Sequence, residues 1–188
     1  MVKEKKKILE IETEIIEGVE VKLESDILNF KGQKGENNRK LSNPCLSIAV
    51  KDGKIILKLI KKQSKSEVKI LKTFVSHIKN LMKGVSEGHT YKLKICSGHF
   101  PMNVTTSNNE FVVKNFIGEK IPRTVPITQD VTVKIEGTEV IVEGVDKEKT
   151  SQMAARIEEM TKRPGFDTRI FQDGIYIINK DGKEIKHD

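Results

Sequence analysis

Apolar and polar residues alternate along much of this chain, and one such pattern occurs twice. Residues 19–36 align without a gap on residues 131–148, at a constant offset of 112. Each copy alternates, turns and alternates again, which predicts a two-stranded hairpin with one buried face. The duplication indicates two similar small domains rather than one unique fold. Six positions are identical in the two copies: Val19/Val131, Val21/Val133, Lys22/Lys134, Glu24/Glu136, Gly32/Gly144 and Glu36/Glu148.

The same period of two predicts further strands in both halves of the chain. Between them, the polar stretch 32–40 is predicted to be a loop. Residues 121–127 are predicted to be a loop or an edge strand, because Pro122 and Pro126 cannot donate a ladder hydrogen bond. The predicted strands are 8–16, the hairpin 19–32, 45–50 with 55–60 around Asp52-Gly53, 90–96, 103–106 with 110–116, the hairpin 131–144, and 174–178.

Two segments change to a helical period of three and four residues. The first helix is predicted from Ser64 to Lys83, with Ser66 and Glu67 in its first turn and Gly84 as its end. The second is predicted over 150–161 and is ended by Pro164-Gly165. The apolar faces are Val68, Leu71, Val75, Ile78 and 81–82 in the first helix, and Met153, Ala154, Ile157 and Met160 in the second.

These elements predict an α+β fold of two tandem duplicated domains, each an antiparallel sheet with one helix packed on it. The first domain is expected over 1–88 and the second over 89–180, followed by a polar tail over 181–188. A length of 188 residues suits two such domains. Alternation leaves open whether Ile141 or its neighbours Val140 and Val142 face the core.

The net charge of the chain indicates what kind of partner it binds. The net charge is +7, and it lies entirely in residues 1–88, which hold 19 Lys and Arg against 12 Asp and Glu. Residues 89–188 hold 15 of each sign. A basic surplus favours a polyanion such as RNA, DNA or an acidic membrane surface. A basic protein-interaction module, charged only for solubility, is the alternative.

Motifs for catalysis, metals and membranes are missing from the sequence. It has no phosphate-binding loop, no nucleophile elbow and no His-Glu-x-x-His, so no enzyme activity, cofactor or small-molecule substrate is expected. Cys45 and Cys96 lie far apart without a zinc-ligand spacing, and they suit buried or half-buried thiols in a reducing cytoplasm. No apolar run reaches the roughly 20 residues of a membrane span. We therefore expect a soluble cytoplasmic protein.

Basic residues combined with aromatic residues give the candidate RNA contacts. Lysines at 58, 61, 62, 65, 69 and 72 run into the first predicted helix, opposed only by Glu67. Cations can contact phosphates, aromatic faces can stack on bases, and glycine allows close approach. This mixture occurs in the stretch from Lys162 to Phe171. The remaining candidates are Lys120 and Arg123 beside Pro122, and His99 in the turn 97–101.

Three stretches resemble the large-subunit ribosomal protein six family, the counterpart of eukaryotic large-subunit ribosomal protein nine. They are Ser76-His-Ile-Lys-Asn-Leu-Met-Lys-Gly-Val85; His99-Phe-Pro-Met-Asn-Val104 with Asn115-Phe-Ile-Gly-Glu-Lys120; and Arg169-Ile-Phe-Gln-Asp-Gly-Ile-Tyr-Ile-Ile-Asn-Lys180. The last resembles the signature of the archaeal and eukaryotic branch, and the short chain favours the archaeal side.

This resemblance implies a structural constituent of the large ribosomal subunit that binds large-subunit ribosomal RNA and neighbouring ribosomal proteins. The implied RNA site is close to the sarcin–ricin region and the factor-binding stalk base. In the family much of the RNA contact is made by the second domain, which here has no net charge. The implied contacts are Lys162, Arg163, Arg169 and Phe171, with His99, Lys120 and Arg123 as further candidates; Lys61, Lys62 and Lys65 are added from the basic run.

Overall fold

The computed structural model describes residues 9–51, 53–60, 64–167 and 169–185. The chain divides into two compact units, the first ending at Glu87 and the second beginning at Gly88. The first unit contains β1 (Glu10–Glu14), β2 (Glu20–Glu24), β3 (Ile27–Gly32), β4 (Gly35–Lys40), β5 (Leu46–Lys51), β6 (Lys54–Leu59) and α1 (Lys65–Ser86). Its strands form two antiparallel sheets, in the orders β1–β6–β5 and β2–β3–β4.

The second unit repeats the combination of antiparallel strands and one helix. A five-stranded sheet has the order β11–β12–β7–β13–β14, and a small sheet has the order β10–β9–β8. The elements are β7 (His89–Cys96), β8 (Asn103–Ser107), β9 (Glu110–Lys114), a short 3-10 turn (Phe116–Gly118), β10 (Arg123–Pro126), β11 (Val131–Glu136), β12 (Glu139–Gly144), α2 (Lys147–Met160), β13 (Gly174–Lys180) and β14 (Lys183–Glu184).

The predicted α+β architecture is confirmed, with an amphipathic helix on the strands of each unit. In the first unit, Leu71 and Ile78 of α1 are fully buried together with Leu28 of β3 and Leu57 of β6. In the second, Met153 and Ile157 of α2 share the core cluster with Leu93 of β7. Burial of such side chains contributes about 1.5–3 kcal/mol each. The two helical faces read from the sequence are therefore core faces.

The start and the end of α1 differ from the prediction. Ser64, not Ser66, is the N-cap: its hydroxyl accepts a hydrogen bond from the Glu67 amide at 3.2 Å, and the Glu67 carboxylate accepts one from the Ser64 amide at 2.9 Å. This reciprocal pair is a capping box. Gly84 lies inside the last turn instead of ending the helix, since burial of Val85 outweighs the roughly 1 kcal/mol that a helical glycine costs.

Residues 32–40 were predicted to be a loop, and this prediction is wrong. Residues 35–40 form β4, which pairs with β3 in a register that places Asn38 opposite Asn29. Backbone pairing decides the conformation here, although glycine and asparagine are poor strand formers. In the second unit β10 is an edge strand, one of the two predicted alternatives. The end of the chain is not only a polar tail, because β14 pairs with β13.

The burial of the β12 side chains shows which of them face the core. Val140 and Val142 are fully buried, whereas Ile141 lies half-buried on the open face of the five-stranded sheet, opposite Lys134 and Lys92 in the register. Asp52, half of one predicted turn, and the last three residues of the predicted tail lie outside the described residues.

Candidate RNA-binding surface

Three loops of the second unit come together at the sequence-predicted site. They are the turn 97–101 after β7, the loop 115–123 that leads into β10, and the segment 161–173 between α2 and β13. Hydrogen bonds, ion pairs and ring contacts join each loop to another. The contact network links four predicted residues, His99, Arg123, Arg163 and Phe171, through acidic and aromatic residues that lie between them.

His99 is held from below by the buried carboxylate of Asp173. Its ring Nδ1 lies 2.5 Å from Asp173 Oδ2, and the amides of Gly98 and His99 donate to Oδ1 at 2.6 and 3.0 Å. Burial raises the pKa of Asp173, but the hydrogen bonds from His99 and Gly98 outweigh that effect, so the pKa lies below its usual value. Because Nδ1 is engaged and the side chain is 40% exposed, Nε2 is the ring nitrogen available to a partner.

Aromatic rings continue the network outward from His99. The His99 and Phe171 ring centres are 4.9 Å apart, and Phe166 meets Phe171 edge-on at 5.1 Å. The guanidinium of Arg163 lies over the Phe166 ring, 4.2 Å from its centre, in cation–π geometry. A cation is thus placed at the end of a row of three rings in contact.

Arg123 has an internal role. Its guanidinium makes a two-bond contact with Glu119, at 2.7 and 2.8 Å, and stacks over Phe116 at 4.4 Å. It also donates to the carbonyl of Met160, the last residue of α2. That helix has no cation in its own last turn, so Arg123 supplies the positive charge that a helix C-terminus favours. We assign Arg123 to positioning the segment after α2.

Glu119 joins the two arginines. Its carboxylate contacts Arg123 directly and lies 3.8 Å from Nη1 of Arg163. The hydrogen bond from Arg123 lowers the pKa of Glu119 below its usual value, against the opposing effect of burial, and Arg163 lowers it further. The carboxylate therefore remains charged and holds the loop 115–123 against the segment 161–173.

The loop before Glu119 has a strained backbone. Ile117 has a φ of 47°, in the left-handed region that a β-branched side chain strongly disfavours, and Asn115, two residues earlier, has a φ of 58°. The Asn115 side chain donates to the Pro101 carbonyl at 3.0 Å. Strain of this kind is kept where the surrounding contacts determine the conformation, and it is common at binding sites.

Three predicted cations surround this network at the surface. Lys120 and Lys162 are exposed, and the Arg169 side chain is 89% exposed while it pairs with Asp167 at 2.9 Å. Two large apolar side chains, Ile121 and Ile170, are also exposed in the same loops, by 81% and 62%. The surface can therefore offer positive charge for phosphates and apolar or aromatic faces for bases, sugars or a protein neighbour.

The remaining predicted residues belong to the first unit. Lys65 is exposed at the first position of α1. Lys61 and Lys62 lie outside the described residues. The sequence did not identify Glu119 and Asp173, the carboxylates that connect the loops, because Glu119 lies four residues from Arg123 outside any predicted helix and Asp173 lies 74 residues from His99. The Asp173-Gly174 pair at the start of a predicted strand was the only local signal for Asp173.

The described residues contain neither a metal-binding cluster nor a membrane-spanning helix. No cluster of three or more His, Cys, Asp or Glu side chains there is arranged to hold a metal ion. Neither of the helices described is long and apolar enough to cross a membrane.

Comparison with known proteins identifies the family. The sequence matches the family described as ribosomal protein L6 twice, over residues 15–88 and 100–174. It is 44% identical to the large ribosomal subunit protein uL6 of Methanosarcina mazei over 89% of this chain and 94% of that protein. It is equally identical to the protein of the same name from Methanococcus vannielii, over 92% and 94%. The resemblance seen in the sequence is confirmed: the chain belongs to the ribosomal protein L6 family.

Proposed function

We propose that this chain binds large-subunit ribosomal RNA through the three-loop surface of its second unit, close to the sarcin–ricin region and the factor-binding stalk base. As a family member, the chain is a structural, non-enzymatic constituent of the large ribosomal subunit. Its partners are ribosomal RNA and neighbouring large-subunit proteins. The location on the RNA follows from the resemblance, whereas the choice of surface follows from the geometry.

The connected loop network is the observation that carries the proposal. Lys162 and Arg169 contact phosphates, because both are exposed cations on the segment that carries the contacting rings Phe166 and Phe171. Phe166 and Phe171 form the platform beside them. Preorganised loops lose less entropy on binding, which improves affinity without new contacts. A zero net charge in this half does not oppose binding, since the local arrangement of cations determines phosphate contact.

Arg163 and Arg123 take part differently from the exposed cations. Arg163 is half-buried between Phe166 and Glu119, and Arg123 is used within the protein. Reversing the charge of Arg163 would bring two carboxylates together and disturb the loops themselves. The sharper test therefore reverses Lys162 and Arg169.

The experiment is cosedimentation of the full chain with large subunits that lack it, at low and moderate salt. Lys162→Glu with Arg169→Glu is expected to lower incorporation at least tenfold at moderate salt, because two phosphate contacts become repulsive. The matched control is Lys92→Glu with Arg156→Glu, which makes the same charge change at exposed positions elsewhere in this unit. Equal incorporation of the two double variants would show that the three-loop surface does not bind the RNA.

A further inference from the structure

The outer face of α1 carries four lysines in one line. Lys65, Lys69, Lys72 and Lys79 are all exposed, and at 100° per residue they fall on the side opposite the buried residues Leu71, Ile78 and Val85. At a rise of about 1.5 Å per residue the line is about 21 Å long. We call these four residues the α1 lysine row.

Several lysines on the sheets of the first unit have acidic partners, whereas the row lysines have none among the residues that the structure describes. Lys22, Lys40 and Lys51 also lack an ion pair there, but they lie on separate strands, while the row places its charges on successive turns of one helix. On the sheets, Lys31 pairs with Glu36 at 2.7 Å, and Lys54 and Lys58 pair with Glu12 and Glu10 at 3.3 and 2.9 Å. Within the described residues, none of the four row lysines has an ion pair. The one acidic residue of α1, Glu67, is engaged in the capping box.

This arrangement is unfavourable for the helix alone. Lys65 and Lys69 are four residues apart, and Lys69 and Lys72 are three apart, so like charges face each other on adjacent turns. Such pairs destabilise an isolated helix, whereas a Glu at either position would stabilise it. The charges of the row therefore do not stabilise the unit itself. This is expected of a surface that binds an oppositely charged partner outside the unit.

We propose that the α1 lysine row is a second RNA-binding surface, which takes the phosphate backbone of a ribosomal RNA strand without reading its sequence. This second surface is separate from the three-loop surface, and the inference does not depend on the function proposed for that surface. Ser76 and Thr73 are the short side chains between the lysines, and their hydroxyls are hydrogen-bonded to the helix carbonyls of Lys72 and Lys69 at 3.0 Å. A strand can therefore lie along the face and meet several ammonium groups in succession.

The chemistry of the face favours RNA over an acidic protein. Specific protein interfaces have an apolar or aromatic centre from which charge is depleted. The row and the short side chains within it contain only lysine, serine and threonine. A regular line of like charge suits a polymer with regularly spaced phosphates, and the absence of aromatic groups from these positions gives no base recognition. The row also accounts for much of the positive charge of the first half, which the second-unit surface leaves unexplained.

The test measures how the affinity of the full chain for a ribosomal RNA duplex depends on salt. Replacement of three row residues by Lys65→Gln, Lys69→Gln and Lys72→Gln is expected to lower affinity at least tenfold at low salt. The slope of log affinity against log salt should become shallower by about 2–3, since each phosphate contact contributes about 0.9. The matched control replaces Lys22, Lys40 and Lys51, exposed lysines on the strands of the same unit, by Gln. The control slope should stay within about 0.5 of the native slope, because those lysines contact no phosphate.

Two results would overturn the inference: a native slope in the row variant, or an equal change in the row and control variants. The row variant should melt no lower than the native protein, because like-charge repulsion is removed, and this separates lost binding from lost folding. Repeating the comparison in the Lys162→Glu, Arg169→Glu background distinguishes the two surfaces. In that background, replacing the three row lysines should still lower the affinity for RNA. This holds whether or not Lys162→Glu with Arg169→Glu weakens binding by itself.

Discussion

The backbone carbonyl of Val85, near the end of α1, occupies the space that a Cβ on Gly32 would need. The corresponding glycine of the second copy, Gly144, is equally close to its helix: there a Cβ would meet the hydroxyl of Thr150, in the first turn of α2. The glycine shared by the two copies of the hairpin is thus where each strand end meets the helix of its unit. Packing, rather than a special φ, explains why both copies have glycine.

Replacing either glycine by alanine should destabilise its unit. Only in the second unit should a further substitution in the helix reduce the loss of stability. Gly32→Ala meets backbone, so the helix must move, and we expect a loss of about 2–4 kcal/mol in the free energy of unfolding. Gly144→Ala should cost a similar amount, but Thr150→Ala removes the nearest obstructing atom and leaves only the Asp130 carbonyl at 3.1 Å as a tight contact. The double variant Gly144→Ala, Thr150→Ala should therefore be more stable than the sum of the single effects predicts. Urea unfolding of the four variants measures this; strict additivity would contradict the packing explanation.

Much of the fold could be predicted because the hydrophobic periods are clear. The duplicated hairpin and both helical faces depend on buried apolar residues at regular spacings, and those features were confirmed. β4 was missed because its alternate side chains are polar on both faces, so only pairing with β3 identifies it. The capping residue of α1 was misplaced by two positions because Ser64 and Ser66 both suit an N-terminus in sequence.

The buried carboxylate of Asp173 should be important for the turn that carries His99. Asp173→Asn keeps the shape but replaces one accepting oxygen by an amide group. We expect a loss of about 1–3 kcal/mol in unfolding free energy near neutral pH and weaker RNA binding, because the His99 ring is no longer fixed. Asp167→Asn, at an exposed carboxylate of the same surface, is the control and should change stability little. Equal unfolding midpoints for the two variants would contradict a special role for Asp173.

The effect of Asp173 should also depend on pH. Its pKa is lower in the folded protein than the ordinary value of about 3.9, so the ionised carboxylate stabilises the fold above that value. The contribution is lost as the pH falls through the lower folded pKa. The stability difference between the native protein and Asp173→Asn should therefore shrink as the pH falls below the ordinary carboxyl pKa, as followed by urea unfolding. A difference that grows on acidification would have the wrong sign.

The candidate site was predicted only in part, and for an identifiable reason. Cations and aromatic residues close together in sequence, such as Arg163 and Phe166, gave a local signal. The acids that connect distant loops gave none, because Glu119 meets Arg163 only after α2 has folded onto the sheet. Arg123 was grouped with the exposed cations from its place beside a proline, although its side chain is directed to Glu119 and Met160.

Arg123 should stabilise the end of α2 rather than contact phosphates. Arg123→Gln removes the paired contact with Glu119 and the charge at the helix C-terminus, and we expect a loss of about 2–3 kcal/mol. Amide hydrogen exchange should become faster in the last turn of α2. Arg156→Gln, at an exposed position of the same helix, is the control. Native stability with weakened RNA binding in Arg123→Gln would instead identify a direct RNA contact.

Adjacent positions on β12 provide the sharpest test of the second-unit core. Val142 is fully buried, so Val142→Asp places an unpaired charge among apolar side chains and costs several kcal/mol, which is comparable with the whole stability of a small domain. Ile141→Asp places the same group on the open sheet face, opposite Lys92 and Lys134, where opposite charges contribute about 0.2–1 kcal/mol per pair and offset the lost apolar contact. Circular dichroism melting should show Val142→Asp unfolded in its second unit and Ile141→Asp within a few degrees of the native protein. If both variants melt like the native protein, β12 is not a core strand. If only Ile141→Asp unfolds, the register of the five-stranded sheet is shifted by one residue, because a slip of one residue exchanges the two faces of the strand.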